Sequence, residues 1–480
     1  LMDWIASDIL TATGGRLLSG APQAVFRGIG IDSSKLAEGA LFIAIEGENH
    51  DGHSFLPEVV ARGGRGLVVK EGRLPEDDLK AWAEQDVVCI AVPDTTRALG
   101  AIAAFHRRRM PARIVALTGS NGKTTTRAMA AAILDRHRPT LATEGNLNNE
   151  IGLPLTLLRL QPEHGLAVVE MGMNHPGEID RMARMAAPDI GLILNVAPAH
   201  LEGLHSVEGV MRAKGELLEH IRPGGKAILN ADDPHCRQLA KACRVETLLF
   251  GFAPEAAVRA TDLVSGPRGW RFQLELPAGE IAVHLQLPGK FMVANALAAA
   301  AAAYCCGVPR EAIKAGLEAV EAVDGRMQLV HLPWGITLIN DCYNANPAST
   351  AAAIATLARM KGASRGALVL GDMLELGPEA AYWHRETGRT IGQAGLDRLF
   401  VHGAFAATLR DGAVEAGMAP DRVLAGDIIE ISVALTQWLT PGDWVLVKGS
   451  RGMRMERVIA ALKDWAGGIE GHRTRMTTTP

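Results

Sequence analysis

The segment Thr118-Gly-Ser-Asn-Gly-Lys-Thr-Thr125 decides the fold of the central part of this 480-residue chain. It follows the apolar run Ile114-Val-Ala-Leu117, which is typical of a buried strand, and it opens a helical stretch from Lys123 to Arg136. A glycine-containing turn between a strand and a helix places backbone N–H groups and a helix N-terminus where they bind phosphate. The segment therefore predicts a phosphate-binding loop in a parallel α/β sheet.

The polar residues of this loop have predicted roles at a bound ATP molecule. Lys123 is predicted to neutralise the β and γ phosphates, and the hydroxyl of Thr124 to hold Mg2+. Leu117 stands where the general phosphate-loop pattern has its first glycine, which leaves the shorter form TGxxGKT. The alternative, a glycine turn that caps a helix beside an incidental lysine, is disfavoured by the strand-turn-helix context. The predicted ATP-binding residues of the loop are Gly119, Ser120, Asn121, Gly122, Lys123, Thr124 and Thr125.

Glu170 and His200 are candidate metal ligands because each lies just beyond an apolar run. Glu170 ends the run from Leu166 to Val169, and His200 follows Ile193-Leu-Asn-Val196 in a short loop. Open α/β sheets place their sites at the carboxyl ends of the strands. A lone carboxylate or histidine is more often structural than catalytic, so the shared position beside a phosphate loop carries this prediction.

Apolar runs alternate with helical patterns along the chain, which predicts an α/β fold with parallel sheets. The length exceeds what one hydrophobic core supports, and we expect three domains. These are a small N-terminal α/β domain over residues 1–110, a central phosphate-loop ATPase domain over 111–324 and a C-terminal Rossmann-like α/β domain over 325–480. Alternation in residues 270–276 and 281–287 predicts a hairpin appended to the central sheet.

The composition, 48% hydrophobic and 21% charged, indicates an ordinary globular protein. A net charge of -4 predicts no long-range attraction to nucleic acid or to an anionic membrane surface.

The alanine-rich stretch from Phe291 to Val308 is predicted to be a packed helix and not a membrane span. The basic run His106-Arg-Arg-Arg109 is interpreted as a solvated helix end. The six cysteines show neither paired nor metal-ligand spacing, so we expect reduced thiols and a cytoplasmic protein.

These residues resemble those of the Mur ligases, ATP-dependent amide-forming enzymes of bacterial cell-wall synthesis, and the resemblance runs through all three predicted domains. The leucine before the phosphate loop, Glu170, His200 and Lys214 all match the family pattern. From the sequence around it alone, Lys214 is predicted to be a solvent-facing helix residue. The resemblance implies instead that Lys214 is carboxylated to a carbamate, whose oxygens bind Mg2+ as an ammonium group could not.

The resemblance also implies the residues that hold the nucleotide and the metal. Asn295 and Arg326 are expected to bind ATP, and Asp341 is expected to lie near its ribose. Two Mg2+ ions are expected, one of them at the β and γ phosphates. The implied metal ligands are Thr124, Glu170, His200 and Lys214, and the implied catalytic residues are Lys123, Glu170, His200 and Lys214.

Longer strings resemble the family member that adds D-alanyl-D-alanine. They span residues 144–156, 171–179, 340–349, 370–377 and 448–456. The Asp-Asn-Pro-Arg signature of the member that adds diaminopimelate or lysine is absent from the sequence. The string Ile31-Asp-Ser-Ser-Lys35 resembles the family's uridine-nucleotide domain, although the family usually has arginine at position 35.

The implied activity is the ATP-dependent addition of D-alanyl-D-alanine to UDP-N-acetylmuramoyl-tripeptide through an acyl phosphate. A monomer is expected, with a hinge near Gly325-Arg326. Three alternatives stay open: the related ligase that adds the third amino acid, a phosphate-loop kinase and a non-enzymatic nucleotide-binding module. The implied substrate-binding residues are Asp32, Ser33, Ser34, Asn148, Asn149, Tyr343, Asn344 and Asn346.

Overall fold

The structure, a computed structural model, describes residues 3–47, 50–266 and 269–477, with side chains described to residue 467. Its strands form three large sheets, of five, nine and six strands, and one antiparallel pair. The three large sheets follow one another along the chain. This arrangement confirms the predicted α/β fold class, while the boundaries given above for the domains stay predictions.

The N-terminal part folds around the five-stranded sheet. Its elements are β1 (Trp4–Ile5), α1 (Ala6–Thr13), β2 (Arg16–Ser19), β3 (Val25–Phe26), β4 (Ile29–Gly30), β5 (Leu41–Ile43), α2 (Leu56–Ala61), β6 (Gly66–Lys70), α3 (Glu76–Ala83), β7 (Val88–Val92) and α4 (Thr95–Arg109). The strand order is β2-β7-β6-β5-β4, and only β2 runs antiparallel to its neighbour.

The basic run at the end of α4 is only partly solvated. His106 and Arg107 are 1% and 3% exposed. A ring nitrogen of His106 lies 2.9 Å from the carbonyl oxygen of Leu160, and Arg107 donates a 3.0 Å hydrogen bond to the carbonyl of Ala186. The interpretation as a solvated helix end is therefore wrong for these two residues, because the end of α4 packs against the central part of the chain.

The central part contains the nine-stranded sheet. Its elements are β8 (Arg113–Thr118), α5 (Lys123–Leu134), β9 (Thr140–Ala142), α6 (Gly152–Leu157), β10 (Leu166–Glu170), α7 (Glu178–Ala186), β11 (Ile190–Ile193), α8 (Leu201–Leu204), α9 (Val207–Gly215), β12 (Lys226–Asn230), α10 (Pro234–Ala242), β13 (Glu246–Gly251), β14 (Val258–Gly266), β15 (Gly269–Leu276), β16 (Gly279–Leu285), α11 (Lys290–Cys305) and α12 (Arg310–Glu318). The strand order is β16-β15-β14-β13-β12-β11-β8-β10-β9. The pair β15-β16 is antiparallel and confirms the predicted hairpin.

Strand β8 is an interior strand of the sheet, between β10 and β11. Val115 and Leu117 are buried on one face of the sheet, while Ile114 and Ala116 are buried on the other. Burial on both faces explains why this strand reads as a continuous apolar run. Because the three strands are parallel, their carboxyl ends lie side by side, and the chain enters the phosphate loop at that edge.

Helix α11 is the predicted alanine-rich packed helix, and its residues 298–303 are fully buried. It packs on α5, the helix that follows the phosphate loop. Small side chains let two helices approach closely, which holds α11 against the base of that loop. No helix in the described part of the chain is long and apolar enough to cross a membrane.

The C-terminal part contains the six-stranded sheet. Its elements are β17 (Gln328–His331), β18 (Thr337–Asp341), α13 (Pro347–Lys361), β19 (Gly366–Gly371), α14 (Ala380–Gln393), β20 (Arg398–His402), α15 (Ala406–Glu415), β21 (Val423–Ala425), α16 (Ile428–Trp438), β22 (Trp444–Lys448) and α17 (Glu456–Thr477). The strand order is β17-β18-β22-β19-β20-β21, and only β17 is antiparallel to its neighbour. The carboxyl ends of β18, β19 and β22 contribute residues to the site described below.

Candidate active site

The phosphate loop is held in place by the segment that leaves β11. Asn121 N donates to Asn195 Oδ1 over 2.8 Å, and the Asn195 amide donates back to Asn121 O over 3.0 Å. Gly122 has φ 84°, and a Cβ at this position would lie 2.3 Å from Asn295 Oδ1. Glycine is therefore required here both for its backbone conformation and for the close approach of Asn295. The predicted ATP residue Asn295 reaches the loop from α11.

Lys123 and Thr124 begin α5 and face the carboxyl end of the sheet. Lys123 Nζ donates a 2.8 Å hydrogen bond to Gly119 O within the same loop. Burial lowers the pKa of Lys123, while the negative charge of Glu170 acts in the opposite direction. Thr124 Oγ1 lies 3.4 Å from both Glu170 Oε1 and Arg326 Nη2. Arg326 thus brings a second cation to the phosphate loop from the start of the C-terminal part.

Glu170 is 2% exposed at the end of β10. Its Oε1 accepts a 2.8 Å hydrogen bond from the side chain of Asn148, and Oε2 lies 3.5 Å from Arg127 Nη1. Among the described residues Oε2 accepts no hydrogen bond. A buried carboxylate oxygen without a hydrogen-bond donor is suited to a cation.

His200 lies at the border between the central and C-terminal parts. It precedes α8 in a left-handed conformation, with φ 55°. Its Nδ1 lies 2.7 Å from Oε2 of Glu375, which follows β19 in the C-terminal part and also has a positive φ, 64°. This contact lowers the pKa of the Glu375 carboxyl below its ordinary value.

Lys214 on α9 is 2% exposed, so the prediction of a solvent-facing residue is wrong. The local pattern around it is that of a helix surface, but neighbouring segments cover that surface. Burial lowers the pKa of Lys214 well below its ordinary value, and the charge of Lys123 lowers it further. At Lys214, burial therefore disfavours the charged ammonium relative to the neutral amine.

Asp341, predicted to lie near a ribose, ends β18 beside a buried lysine. Its Oδ2 accepts a 2.6 Å hydrogen bond from Lys448 Nζ, and its Oδ1 accepts one of 3.1 Å from Met327 N. Lys448 also donates to Asn344 O over 2.9 Å. The guanidinium of Arg326 lies 4.0 Å from the centre of the Tyr343 ring, as a cation–π pair. These contacts fix the residues around the predicted hinge.

Two cavities meet at this edge of the sheets. The first, of about 280 Å³, contains the phosphate loop from Ser120 to Thr125 together with Asn295, Asp341 and Asn346. The second, of about 450 Å³, is lined by Asn148, Asn149, Glu170 and Tyr343, among others. Four residues line both cavities: Lys123, His200, Arg326 and Asn344.

The structure does not bring all predicted residues to these cavities. Gly119 and Lys214 line neither of them, although Gly119 O binds Lys123. Asp32, Ser33 and Ser34 form an exposed turn in the N-terminal part, where the Asp32 carboxylate accepts hydrogen bonds from the backbone and hydroxyl of Ser34. The roles predicted for these residues stay predictions.

Sequence reasoning missed four residues of the site. Glu375 and Lys448 lie within strings that matched the family, yet nothing in their spacing indicated a role. Arg127 and Asn195 have the same local context as ordinary helix and loop residues. Each acts through a partner that is distant in sequence, which a local pattern does not show.

The described residues include no group of three or more His, Cys, Asp or Glu side chains placed to hold a metal ion. The described residues therefore do not form a metal site in which the protein supplies all the ligands. Mg2+ normally keeps several waters and binds one or two carboxylates together with substrate phosphates. Glu170 suits that mode, because its Oε2 accepts no hydrogen bond among the described residues and its Oε1 lies 3.4 Å from Thr124 Oγ1.

Comparisons with known proteins identify relatives that match about nine-tenths of the chain. The family model described as the Mur ligase middle domain matches residues 117–303, the one described as Mur ligase, glutamate ligase domain matches 325–451, and the one described as Mur ligase family, catalytic domain matches 25–107. UDP-N-acetylmuramoyl-tripeptide--D-alanyl-D-alanine ligase of Escherichia coli is 40% identical, over 90% of this chain and 93% of that protein. The enzyme of the same name from Bacillus subtilis is 34% identical, over 92% and 94%.

Solved structures of Mur ligases are also similar to this chain. A crystal structure of MurF from Acinetobacter baumannii is 34% identical, with a TM-score of 0.87 over 97% of this chain and 99% of that one. MurF ligase from Thermotoga maritima in complex with ADP is 26% identical, with a TM-score of 0.80 over 91% and 97%.

Proposed function

The chain belongs to the Mur ligase family, and we propose that it is the ATP-dependent ligase that joins D-alanyl-D-alanine to UDP-N-acetylmuramoyl-tripeptide. The product is the UDP-linked muramoyl pentapeptide used in peptidoglycan synthesis. Relatives of that name cover nine-tenths of the chain. We also propose that the protein is a monomer and that it makes this precursor in the cytoplasm.

The observation that carries the proposal is the junction of the two cavities. One contains a phosphate loop and fits a nucleotide, and the other has the amides of Asn148 and Asn149 on its wall and fits a peptide. The residues common to both cavities bring polar or positively charged groups to the junction. They are Lys123, His200, Arg326 and Asn344. A γ phosphate and a peptide carboxylate would meet there.

The chemistry requires this meeting because a carboxylate does not condense with an amine in neutral water. An oxygen of the tripeptide's terminal carboxylate attacks the γ phosphorus of ATP, and the bond to ADP breaks. The amine of D-alanyl-D-alanine then attacks the carbonyl carbon of the acyl phosphate. The tetrahedral intermediate expels phosphate, and the nitrogen loses a proton as the amide forms.

Lys123 and Arg326 are the residues proposed to make the first step possible. Two anions must approach each other, and fixed positive charges in a partly dry site lower that barrier far more than they would in water. Lys123 would exchange its hydrogen bond to Gly119 for the phosphate oxygens. Arg326 is already held against Tyr343, so little side-chain freedom is lost when it binds an oxyanion.

Mg2+ would be held by Thr124, Glu170, His200 and a carboxylated Lys214, as one or two ions, and would supply neutralisation of the phosphate oxygens. Asn148 orients Glu170 through its 2.8 Å hydrogen bond, and Arg127 balances the carboxylate from the other side. Asn148 thus holds Oε1 of Glu170, while Oε2 accepts no hydrogen bond among the described residues and would bind the cation.

The burial of Lys214 supports its conversion to a carbamate. Only a neutral amine attacks carbon dioxide, and a lowered pKa raises the neutral fraction at neutral pH. Burial without conversion would leave an uncharged amine close to the Lys123 ammonium. A carbamate would carry a negative charge, which the Lys123 ammonium attracts.

The acyl phosphate is destroyed by water, so the second step needs a closed site. Contacts from the C-terminal part, among them His200 with Glu375 and Arg326 with Thr124, cover the junction. Tyr343, Asn344 and Asn346 are proposed to contact the incoming dipeptide or the nucleotide from this side. Asp32, Ser33 and Ser34 are proposed to bind the uridine end of the substrate. The limits between the three domains are proposed to lie near residues 110 and 324.

The test supplies purified chain, ATP and Mg2+ with each pair of substrates and measures ADP together with the peptide product. We expect ADP and pentapeptide in equal amounts from UDP-tripeptide and D-alanyl-D-alanine. ADP release with UDP-dipeptide and diaminopimelate or lysine would identify the related ligase instead. A phosphorylated product without an amide would indicate a kinase, and ATP binding without turnover a nucleotide-binding module.

A further inference from the structure

The segment from Asp372 to Gly377 reaches from the C-terminal part to the central part of the chain. Leu374 and Glu375 line the proposed nucleotide cavity, as His200 does. A Cβ on Gly377 would lie 3.5 Å from the Cα of Glu202, which shows how closely the segment approaches α8. Glu375 is the residue of this segment whose carboxylate reaches His200.

Both residues of the contact have an uncommon backbone conformation. His200 has φ 55° and Glu375 has φ 64°, although neither is glycine. Left-handed residues with full side chains persist only where the surrounding structure determines them, and they occur most often at functional sites. Here two such residues, on different parts of the chain, direct their side chains at each other.

The backbone before Glu375 is held by buried side chains of the C-terminal part. Met373 N donates to Nε2 of His384 over 3.0 Å, and Leu374 N donates to Ser450 Oγ over 2.9 Å. His384 is fully buried, and its ring stacks on Phe405 at 4.4 Å. These contacts fix the backbone that precedes Glu375 relative to the C-terminal part. The position of the Glu375 carboxylate therefore depends on the position of the C-terminal part.

We propose that Glu375 is a positioning residue that fixes the ring of His200 when the C-terminal part closes on the central part. With its carboxylate on Nδ1, the neutral imidazole keeps its proton on Nδ1 and presents the lone pair of Nε2 to the junction of the cavities. Nδ1 and Oε2 are within hydrogen-bonding distance at 2.7 Å, although the oxygen lies off the line of the N–H bond. Alignment requires the Glu375 side chain, which is 52% exposed, to turn its carboxylate toward the N–H bond. The inference rests on the proposed function for its kinetic consequence only.

The kinetic test replaces Glu375 with alanine and with glutamine. Glu375→Ala is expected to lower kcat about 10- to 100-fold, as the loss of a residue that orients a ligating histidine does. The KM for the UDP-tripeptide is expected to stay unchanged. Glu375→Gln retains an oxygen acceptor for Nδ1–H and is expected to recover most of kcat. Glu379→Ala is the matched control, since Glu379 lies two residues beyond this segment and its carboxylate accepts a hydrogen bond from Trp383.

The same substitution made in a His200→Ala background decides whether Glu375 acts through His200. We expect Glu375→Ala to have almost no further effect there, because residues that act as a pair are not additive. An equal loss of kcat in both backgrounds would overturn the proposal.

A second readout needs no turnover and therefore separates this inference from the proposed function. The ring nitrogens of His200 can be observed by 15N NMR of histidine-labelled protein with a bound ATP analogue, and assigned by their absence from a His200→Gln sample. The wild type is expected to carry the proton on Nδ1, and Glu375→Ala to lose that preference. The same tautomer in both proteins would contradict the proposal even if the ligase activity is confirmed.

Discussion

The side-chain amide of Asn346 donates a 2.7 Å hydrogen bond to Oδ1 of Asn121, a residue of the phosphate loop 225 positions earlier in the chain. Asn346 also caps α13, because its Oδ1 accepts a hydrogen bond from Ser349 N. One residue thus begins a helix of the C-terminal part and joins that helix to the predicted phosphate loop. The two roles use different atoms, so they can be separated by substitution.

Asn346→Asp is expected to raise the KM for ATP about fivefold and to leave the Tm almost unchanged. Aspartate retains the oxygen that caps α13 but has no amide to donate to Asn121, and one lost hydrogen bond between polar groups is worth about 1 kcal/mol. Asn346→Ala removes both bonds and is expected to lower the Tm as well. Steady-state kinetics and thermal unfolding provide the two measurements. Equal Tm losses in both variants would show that the two roles are not separable.

Lys123→Ala is expected to lower the rate of ADP release at least 100-fold at saturating substrates, because it removes a fixed cation from the site of phosphoryl transfer. Lys314→Ala is the control, since Lys314 pairs with Glu318 on the outer surface of α12. The measurement is coupled ADP release in the presence of UDP-tripeptide. A normal rate in Lys123→Ala would remove this lysine from the mechanism.

Lys214→Ala is expected to impair turnover, and small carboxylates such as formate are expected to restore part of it by taking the place of the carbamate. Removal of carbon dioxide from the buffer should lower the activity of the wild type reversibly and have no effect on the variant. Both are measured by ADP release. Full activity of Lys214→Ala without any additive would exclude a role for the carbamate.

Lys448→Met is expected to lower the free energy of unfolding by about 3 kcal/mol, because it leaves the carboxylate of Asp341 buried without its cation. The double variant Asp341→Asn with Lys448→Met is expected to regain most of this stability. Lys226→Met is the control, since its 2.6 Å pair with Glu246 is exposed and is worth less than about 1 kcal/mol. Urea unfolding of the ligand-free variants gives the values. A double variant no more stable than Lys448→Met would contradict this account.

The stability of the protein is expected to fall as the pH is lowered below 6.5, in part because of His384. Burial lowers the pKa of this histidine from its ordinary value of 6.5. Between 6.5 and the lower value the unfolded chain binds a proton that the folded chain does not, so the contribution is present above 6.5 and is lost as the pH falls. His384→Gln should therefore show a shallower dependence of unfolding free energy on pH. Identical slopes in wild type and variant would assign the effect to other groups, such as His106.

Much of the fold and the centre of the site could be predicted from local patterns. The apolar run before Thr118 and the glycines after it require a strand, a turn and a helix in that order, because backbone hydrogen bonding and side-chain periodicity are local properties. Glu170 and His200 could be placed together because parallel strands end at one edge of a sheet. Sequence resemblance supplied the identity of the substrates.

The sequence by itself determined the phosphate loop, the strand ends around it and the α/β class. Only the tertiary structure decided that Lys214 is buried, that Glu375 meets His200 and that Lys448 pairs with Asp341. The partners in these pairs are 107 or more residues apart, and no local periodicity relates them. Burial and charge pairing depend on which surfaces the folded sheets and helices bring together, so they appear only once the whole chain has packed.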